Sequence, residues 1–389
     1  MSEPIKGSIS TPQRLPYDCL VHDYYPFGVP LVIDEEARTF VKQASREGIE
    51  GTAILGMVAD SILSELENHS SRGDWIKASM MALLQRSEVN SLAITLGNFS
   101  QPLNDYTNIT NSIQWWKRFI DQFDSMQVCR SSSEVCLAYE AGRVAVIFCL
   151  QDAGCIGEDL ERVTSLYGHD VRGMQITLNG SNSLGSGCVR PSHEGLTELG
   201  RRVVRRLNEL GVMIDVSHCN YQTTLDTIRC SELPIMVSHS ACKSVFPHDR
   251  GKSDEEIKAL AEREGFFGVL FVPSFIGTDP EPPFDVVIDH LRRAADMLGV
   301  ERVGIGSDWG VWSPDVPAEL REDIIESAVT NLGMSRGMNL SAGKAPGGMK
   351  DYGDMHLLTE ALWNAGFTSE EIKGIVGENF LRFWLRVSL

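Results

Sequence analysis

Imidazole and carboxylate side chains recur at one kind of place in this sequence, the end of a short apolar run. His22 ends CLVH, Gln151 and Asp152 follow VAVIFCL, His218 ends IDVSH, His239 ends IMVSH and Asp308 ends GIGSD. Imidazole nitrogen and carboxylate oxygen suit a borderline divalent ion such as Zn2+, which can turn a bound water into a nucleophile near neutral pH. A single histidine after a strand is more often a hydrogen-bonded loop residue. Three of them with an aspartate, all at strand ends, favour a shared site. His69, His169, His193, His290 and His356 stand in helical or loop contexts and read as solvated or locally bonded side chains.

The elements that must position these groups are legible as eight apolar runs: residues 18–24, 90–95, 143–150, 171–178, 211–216, 234–237, 266–272 and 303–306. They are too short for helices and too uniformly apolar for a sheet with one wet face, so they predict strands covered on both sides, as in a parallel sheet. Helical patterns at 137–141, 159–166, 199–210, 221–228, 254–263 and 284–298 lie between them. Alternation of this kind predicts right-handed crossovers and a (β/α)8 TIM-type barrel, an α/β fold whose functional groups gather at the carboxyl ends of the strands. We expect one barrel domain over residues 1–389, with a helical insertion at about 35–87, a long loop at about 331–354 and a helical tail from Met355.

Composition narrows the function classes. With 35 Lys+Arg against 53 Asp+Glu the net charge is −18, which disfavours nucleic acid and an anionic membrane surface as partners. No apolar stretch has the length of a membrane span, and the first residues, MSEPIKGSIS, lack a signal-peptide pattern. Nine cysteines without a CxxC pair suit a reducing compartment, so a cytoplasmic location is expected.

The segments IDVSH, VSHSAC, RGKSDEEIKALAEREGFFGV, GIGSDWG and GFTSEEIKGIVGENFLRFW together resemble the membrane dipeptidase (renal dipeptidase) family of metallopeptidases, a branch of the amidohydrolase-like barrels. The resemblance runs from about Val144 to Trp384. It implies that His218 and His239 bind one zinc, that His22 binds the other, and that Asp308 lies beside the metals and handles the proton of the attacking water. It implies further that Arg250 binds the substrate's carboxylate, work suited to a planar bidentate donor.

Three departures change that picture. Tyr24 stands where the family has a metal-binding aspartate, Gln151 where it has the glutamate that bridges the zincs, and Leu178, with Asn179 beside it, where it has a substrate-holding histidine. Two divalent ions about 3.5–4 Å apart depend on carboxylates to offset their repulsion. Losing two negative charges therefore predicts one Zn2+, held by His218 and His239 with His22 or Asp308, with two ions or none as the alternatives. Gln151 and the segment NGSNSLGSGC are also similar to a divergent subgroup of the family with altered metal ligands.

The expected activity is that of a metallo-dipeptidase-like hydrolase (EC 3.4.13.- type), in which a metal-bound hydroxide attacks an amide of a dipeptide or another small carboxylated compound. Asp308 would serve as general base, Tyr24 and Gln151 would be further catalytic candidates, and Arg250 and Asn179 would hold substrate. The competing readings are a non-peptidase barrel enzyme, such as a lyase or biosynthetic tailoring enzyme with Tyr24 or Tyr25 in acid–base roles, and a catalytically silent homologue with a reduced metal site. Homodimerisation is an implication of the resemblance alone.

Overall fold

All eight apolar runs become strands of one parallel sheet. The computed structural model describes residues 19–24, 27–31, 33–97, 100–189, 194–312 and 345–388. Its strands are β1 (His22–Tyr24), β2 (Phe27–Leu31), β3 (Ser91–Thr95), β4 (Met126–Val128), β5 (Val144–Leu150), β6 (Val171–Gln175), β7 (Met213–Asp215), β8 (Met236–Ser240), β9 (Phe266–Val269), β10 (Val303–Ile305) and β11 (Gly310–Trp312). The main sheet runs β1-β3-β5-β6-β7-β8-β9-β10, with β4 added to β5, and every pairing is parallel. With helices between the strands, this is a nearly closed (β/α)8 TIM-type barrel.

Alternation along each strand separates two apolar populations. Val146, Phe148, Ile214, Val237 and Phe267 pack outward with helix residues such as Val203, Leu207 and Leu260. Ala93, Ala145, Ile147, Met213, Met236 and Phe266 form a second cluster with Phe380, Phe383 and Trp384 of the last helix, Asn379–Val387. Several of these residues open their strands, so the aromatic residues of the tail fill the amino-terminal end of the barrel and leave its polar groups to the other end.

The seam between the first and last strands is joined by a side chain. Asp23 of β1 is fully buried, and its carboxylate accepts from Ser307 N at 2.8 Å and Ser307 Oγ at 2.6 Å, just past β10. It also accepts from the Tyr352 phenol at 2.8 Å.

The expected insertion is three helices, Glu35–Arg46, Gly51–Glu67 and Ser71–Ser87. Asp34 and Ser70 cap the first and third by accepting from Ala37 N and Gly73 N. Several boundaries differ from expectation. The run 266–272 is a strand only to Val269; Leu270 N still bonds Ser240 O of β8, and Pro273, which has no N–H, then opens a short helix. The helix Tyr106–Ile120, the strand β4 and the small β2–β11 sheet were not expected. The helix does carry a helical pattern, with Ile109, Ile113, Trp116, Phe119 and Ile120 on one buried face, whereas the strands are short runs of three to five residues. Of the loop expected at 331–354, residues 331–344 lie outside the described residues, and short 3-10 turns occupy Pro346–Gly348 and Tyr352–His356. Among the described residues no helix is long and apolar enough to cross a membrane.

Candidate active site

Residues from β6, β7, β8 and the loops that follow them meet in one buried cluster. His218 follows β7 and His239 lies within β8, and their Nε2 atoms are 2.9 Å apart. His218 Nδ1 faces Asn179 Oδ1 at 2.6 Å. Because an amide oxygen can only accept, the proton of this imidazole sits on Nδ1 and Nε2 is left as an acceptor. His239 is set from the other side. Its Nδ1 is 2.7 Å from Ser238 Oγ, which in turn donates to Asp215 Oδ2 at 2.5 Å. A hydroxyl that gives its proton to a carboxylate is left as an acceptor, so His239 also carries its proton on Nδ1.

Asp215 is the hub of this support. Its Oδ1 accepts from Ser217 Oγ at 2.6 Å, Ser217 N at 2.9 Å and Ser238 N at 3.1 Å, while Ser217 Oγ accepts from His239 N at 3.1 Å. Burial pushes its pKa upward, and the hydrogen bonds oppose that shift. Asp215, Ser217 and Ser238 were not among the expected site residues. The signal was present as a serine before each histidine in IDVSH and IMVSH, with an aspartate two residues before the first of these serines.

Arg250 enters from the loop after β8 and is 2% exposed. Its Nη2 is 2.8 Å from His218 Nε2 and donates to His239 O at 3.0 Å, and Nη1 donates to Ser217 O at 2.7 Å. Its Nε–H is buried without a hydrogen-bond partner among the described residues. Ser240 Oγ fixes the Arg250 carbonyl at 2.8 Å. Two residues on, Lys252 Nζ is fixed by Cys219 O at 2.7 Å and Thr224 Oγ1 at 2.8 Å. Burial first, and the Arg250 charge second, hold both imidazoles well below the usual histidine range, so both are neutral at physiological pH.

The close approach of β8 to its neighbours depends on two glycines. A Cβ on Gly268 would lie 1.9 Å from Ser238 O, and one on Gly306 would lie 2.1 Å from the same oxygen. Beyond Gly306, Asp308 has φ +52°, a conformation uncommon for a residue with a side chain and one that clusters at functional sites. Burial pushes its carboxyl up to about 6, against the pull of Arg250 and with a further push from Asp23.

The asparagine-rich segment after β6 folds back on the cluster. Asn182 Nδ2 donates to Asp152 Oδ1 at 2.6 Å, Cys188 N donates to His218 O at 2.8 Å, and Val189 N donates to Asn179 O at 3.0 Å. Gln151 is buried beside β6, where its carbonyl accepts from Gln175 Nε2 at 2.6 Å. The Gln175 Oε1 acceptor is buried without a partner among the described residues.

Thus the structure brings His218, His239, Arg250 and Asn179 into direct contact, with Asp308 close enough to Arg250 to feel its charge. His22 has different neighbours. Its Nδ1 is 2.9 Å from Ser91 Oγ, and its ring stacks on Phe380 at 3.9 Å, among the aromatic residues of the tail. Leu178 is buried, the backbone of Tyr24 pairs with Ala93, and Tyr25 lies outside the described residues.

These residues do not fit a paired-zinc centre. Among the described residues, no group of three or more His, Cys, Asp or Glu side chains is placed to hold a metal ion. Two imidazole nitrogens on one tetrahedral zinc stand about 3.3 Å apart for Zn–N bonds of about 2.0–2.1 Å. The histidine pair is closer than that, and a guanidinium already faces one of its lone pairs. A divalent ion about 4 Å from that charge would meet repulsion on the order of 8 kcal/mol at an effective dielectric of about 20, before any ligand offsets it.

A family model described as membrane dipeptidase (peptidase family M19) matches residues 76–327, and the chain belongs to that family. The curated protein dipeptidase verJ of Clonostachys rogersoniana is 29% identical over 262 residues, which span 67% of this chain and 59% of that protein. Among solved structures, an amidohydrolase from Pseudomonas aeruginosa matches with a TM-score of 0.69 at 23% identity, over 79% of this chain and 91% of its own. A metallopeptidase from Rhodobacter sphaeroides, liganded with a phosphinate mimic of the dipeptide L-Ala-D-Ala, matches with a TM-score of 0.64 at 21% identity, over 79% of this chain and 89% of its own. These structural likenesses establish the shared barrel.

Proposed function

We propose that this chain is a barrel enzyme of the membrane dipeptidase family with a reduced metal site, acting on a small carboxylated, peptide-like compound by chemistry other than paired-zinc hydrolysis. The observation that carries the reading is the buried Arg250 guanidinium. Its Nε–H is buried without a partner among the described residues, so it retains a donor for an anionic group of a substrate. Dipeptide-like compounds carry such a group. The neutral imidazole of His239 and Asp308, which can exchange a proton near pH 6, supply acid–base groups near it. Tyr24 is proposed as a further proton-handling group. The metal-bound hydroxide of a dipeptidase is the less favoured reading, because Gln151 and Tyr24 remove carboxylates that a pair of zinc ions needs.

Two measurements on protein purified without chelators test this. Elemental analysis should find no more than about one zinc per chain, and L,L and L,D dipeptides should remain uncleaved with Zn2+, Mn2+ or no addition. Calorimetry with N-acetyl amino acids and their amides should detect binding of the carboxylates only. About two zinc ions per chain together with dipeptide hydrolysis would overturn the proposal, and equal binding of the neutral amides would remove Arg250 from it.

A further inference from the structure

We infer that Arg250 is the resident cation of the His218–His239 pair and keeps a divalent ion out of it. This rests on the reduced-metal reading and goes further by naming the group that stands where an ion would. Each imidazole has its Nδ1 committed, His218 to Asn179 Oδ1 and His239 to Ser238 Oγ. Both Nε2 lone pairs therefore face one space, 2.9 Å from each other. Two acceptors at that separation repel unless positive charge lies beside them.

Arg250 supplies that charge from a fixed position. One Nη2 proton reaches His218 Nε2 at 2.8 Å and the other goes to His239 O at 3.0 Å, while Nη1 holds Ser217 O at 2.7 Å. The peptides that hold the guanidinium are those of His239 and of the residue before His218. Swinging it away would give up both of these carbonyl hydrogen bonds together with the contact to His218 Nε2, so an arriving ion would have to displace a clamped cation. The loop that delivers Arg250 is itself tied down, by Ser240 Oγ on its carbonyl and by Lys252 in the pockets of Cys219 and Thr224. A guanidinium keeps its charge across the physiological range, which suits a permanent substitute for a metal.

The test uses the full chain with Zn2+ or Co2+ alone as probe. Wild-type protein should show no saturable uptake at micromolar ion and no cobalt–imidazole absorption. Arg250→Met should bind one ion at least about tenfold more tightly, while Arg250→Lys, which keeps the charge, should stay like wild type. Nitrogen NMR of the wild-type imidazoles guards against a misfolded variant: both rings should be Nδ1–H tautomers whose Nε2 resonances do not move in excess Zn2+. Tight binding of one ion by wild type, or zinc-dependent Nε2 shifts in it, would overturn the inference. The same holds for a well-folded Arg250→Met that gains no affinity. One bound zinc without dipeptide hydrolysis would defeat this inference alone, whereas two with hydrolysis would defeat the proposed function as well.

Discussion

The carboxylate of Asp23 and the peptide N–H and hydroxyl of Ser307 are bonded across 284 positions of sequence, and this contact stitches β1 to the end of β10. Ser307 Oγ also accepts from Trp309 N at 3.1 Å, so the same contact braces the turn in which Asp308 takes its positive φ. Asp23→Ala would leave Ser307 N, Ser307 Oγ and the Tyr352 phenol without their acceptor. Such buried donors cost roughly 1–3 kcal/mol each when orphaned, and the losses are not additive. We expect at least about 2 kcal/mol lower stability in urea denaturation. A variant within experimental error of wild type would show that the seam is held elsewhere.

Ser238→Ala breaks the chain from Asp215 to His239. The variant loses the acceptor for His239 Nδ1–H and a donor to a buried carboxylate. A stability loss of roughly 1–3 kcal/mol is expected. The specific readout is nitrogen NMR, in which His239 should become a mixture of tautomers while His218, held by Asn179, does not change. Ser238→Thr, which restores the hydroxyl, should restore the single tautomer, and an unchanged His239 signal in Ser238→Ala would disprove the relay.

Gly268→Ala places a methyl 1.9 Å from Ser238 O, where neither strand can yield without opening the sheet. Overpacking of that kind is expected to cost about 3 kcal/mol or more, or to prevent folding. Gly168→Ala is the control, because a Cβ there meets nothing within 4 Å. It should be neutral or slightly stabilising in thermal denaturation, and equal effects at the two sites would refute the close-approach explanation.

His22 is held neutral by burial, its pKa lowered to about 3 from an ordinary 6.5. The folded state therefore does not take up the proton that the unfolded chain binds below about pH 6.5. This contribution to stability is fully present above that pH and is lost as pH falls from about 6.5 towards 3, at up to about 1.4 kcal/mol per pH unit. His22→Gln should remove up to one proton from the pH dependence of the unfolding free energy between pH 6 and 4. Identical slopes for variant and wild type would show that His22 is not buried neutral.

The sequence by itself determined the barrel and marked candidate site residues at the ends of its strands. Eight apolar runs without one-sided alternation became eight parallel strands in the expected order, because burial on both faces is written into composition over a few consecutive residues. Polar residues ending those runs are local features too, which is why His218, His239 and Asp308 were legible as candidates, whereas Asn179 was reached only through the family resemblance. Tertiary structure alone decided what they touch. His22 ends an apolar run like His218 and His239, yet strand register and the packing of the last helix put its ring on Phe380. Asp23, one residue on, faces the opposite way and closes the seam, since successive strand side chains diverge. The pairing of Arg250 with His218 spans 32 residues and depends on how a loop returns over two strand ends, a geometry no local pattern specifies. That return puts a guanidinium on an imidazole lone pair, and it decides the electrostatic character of the site.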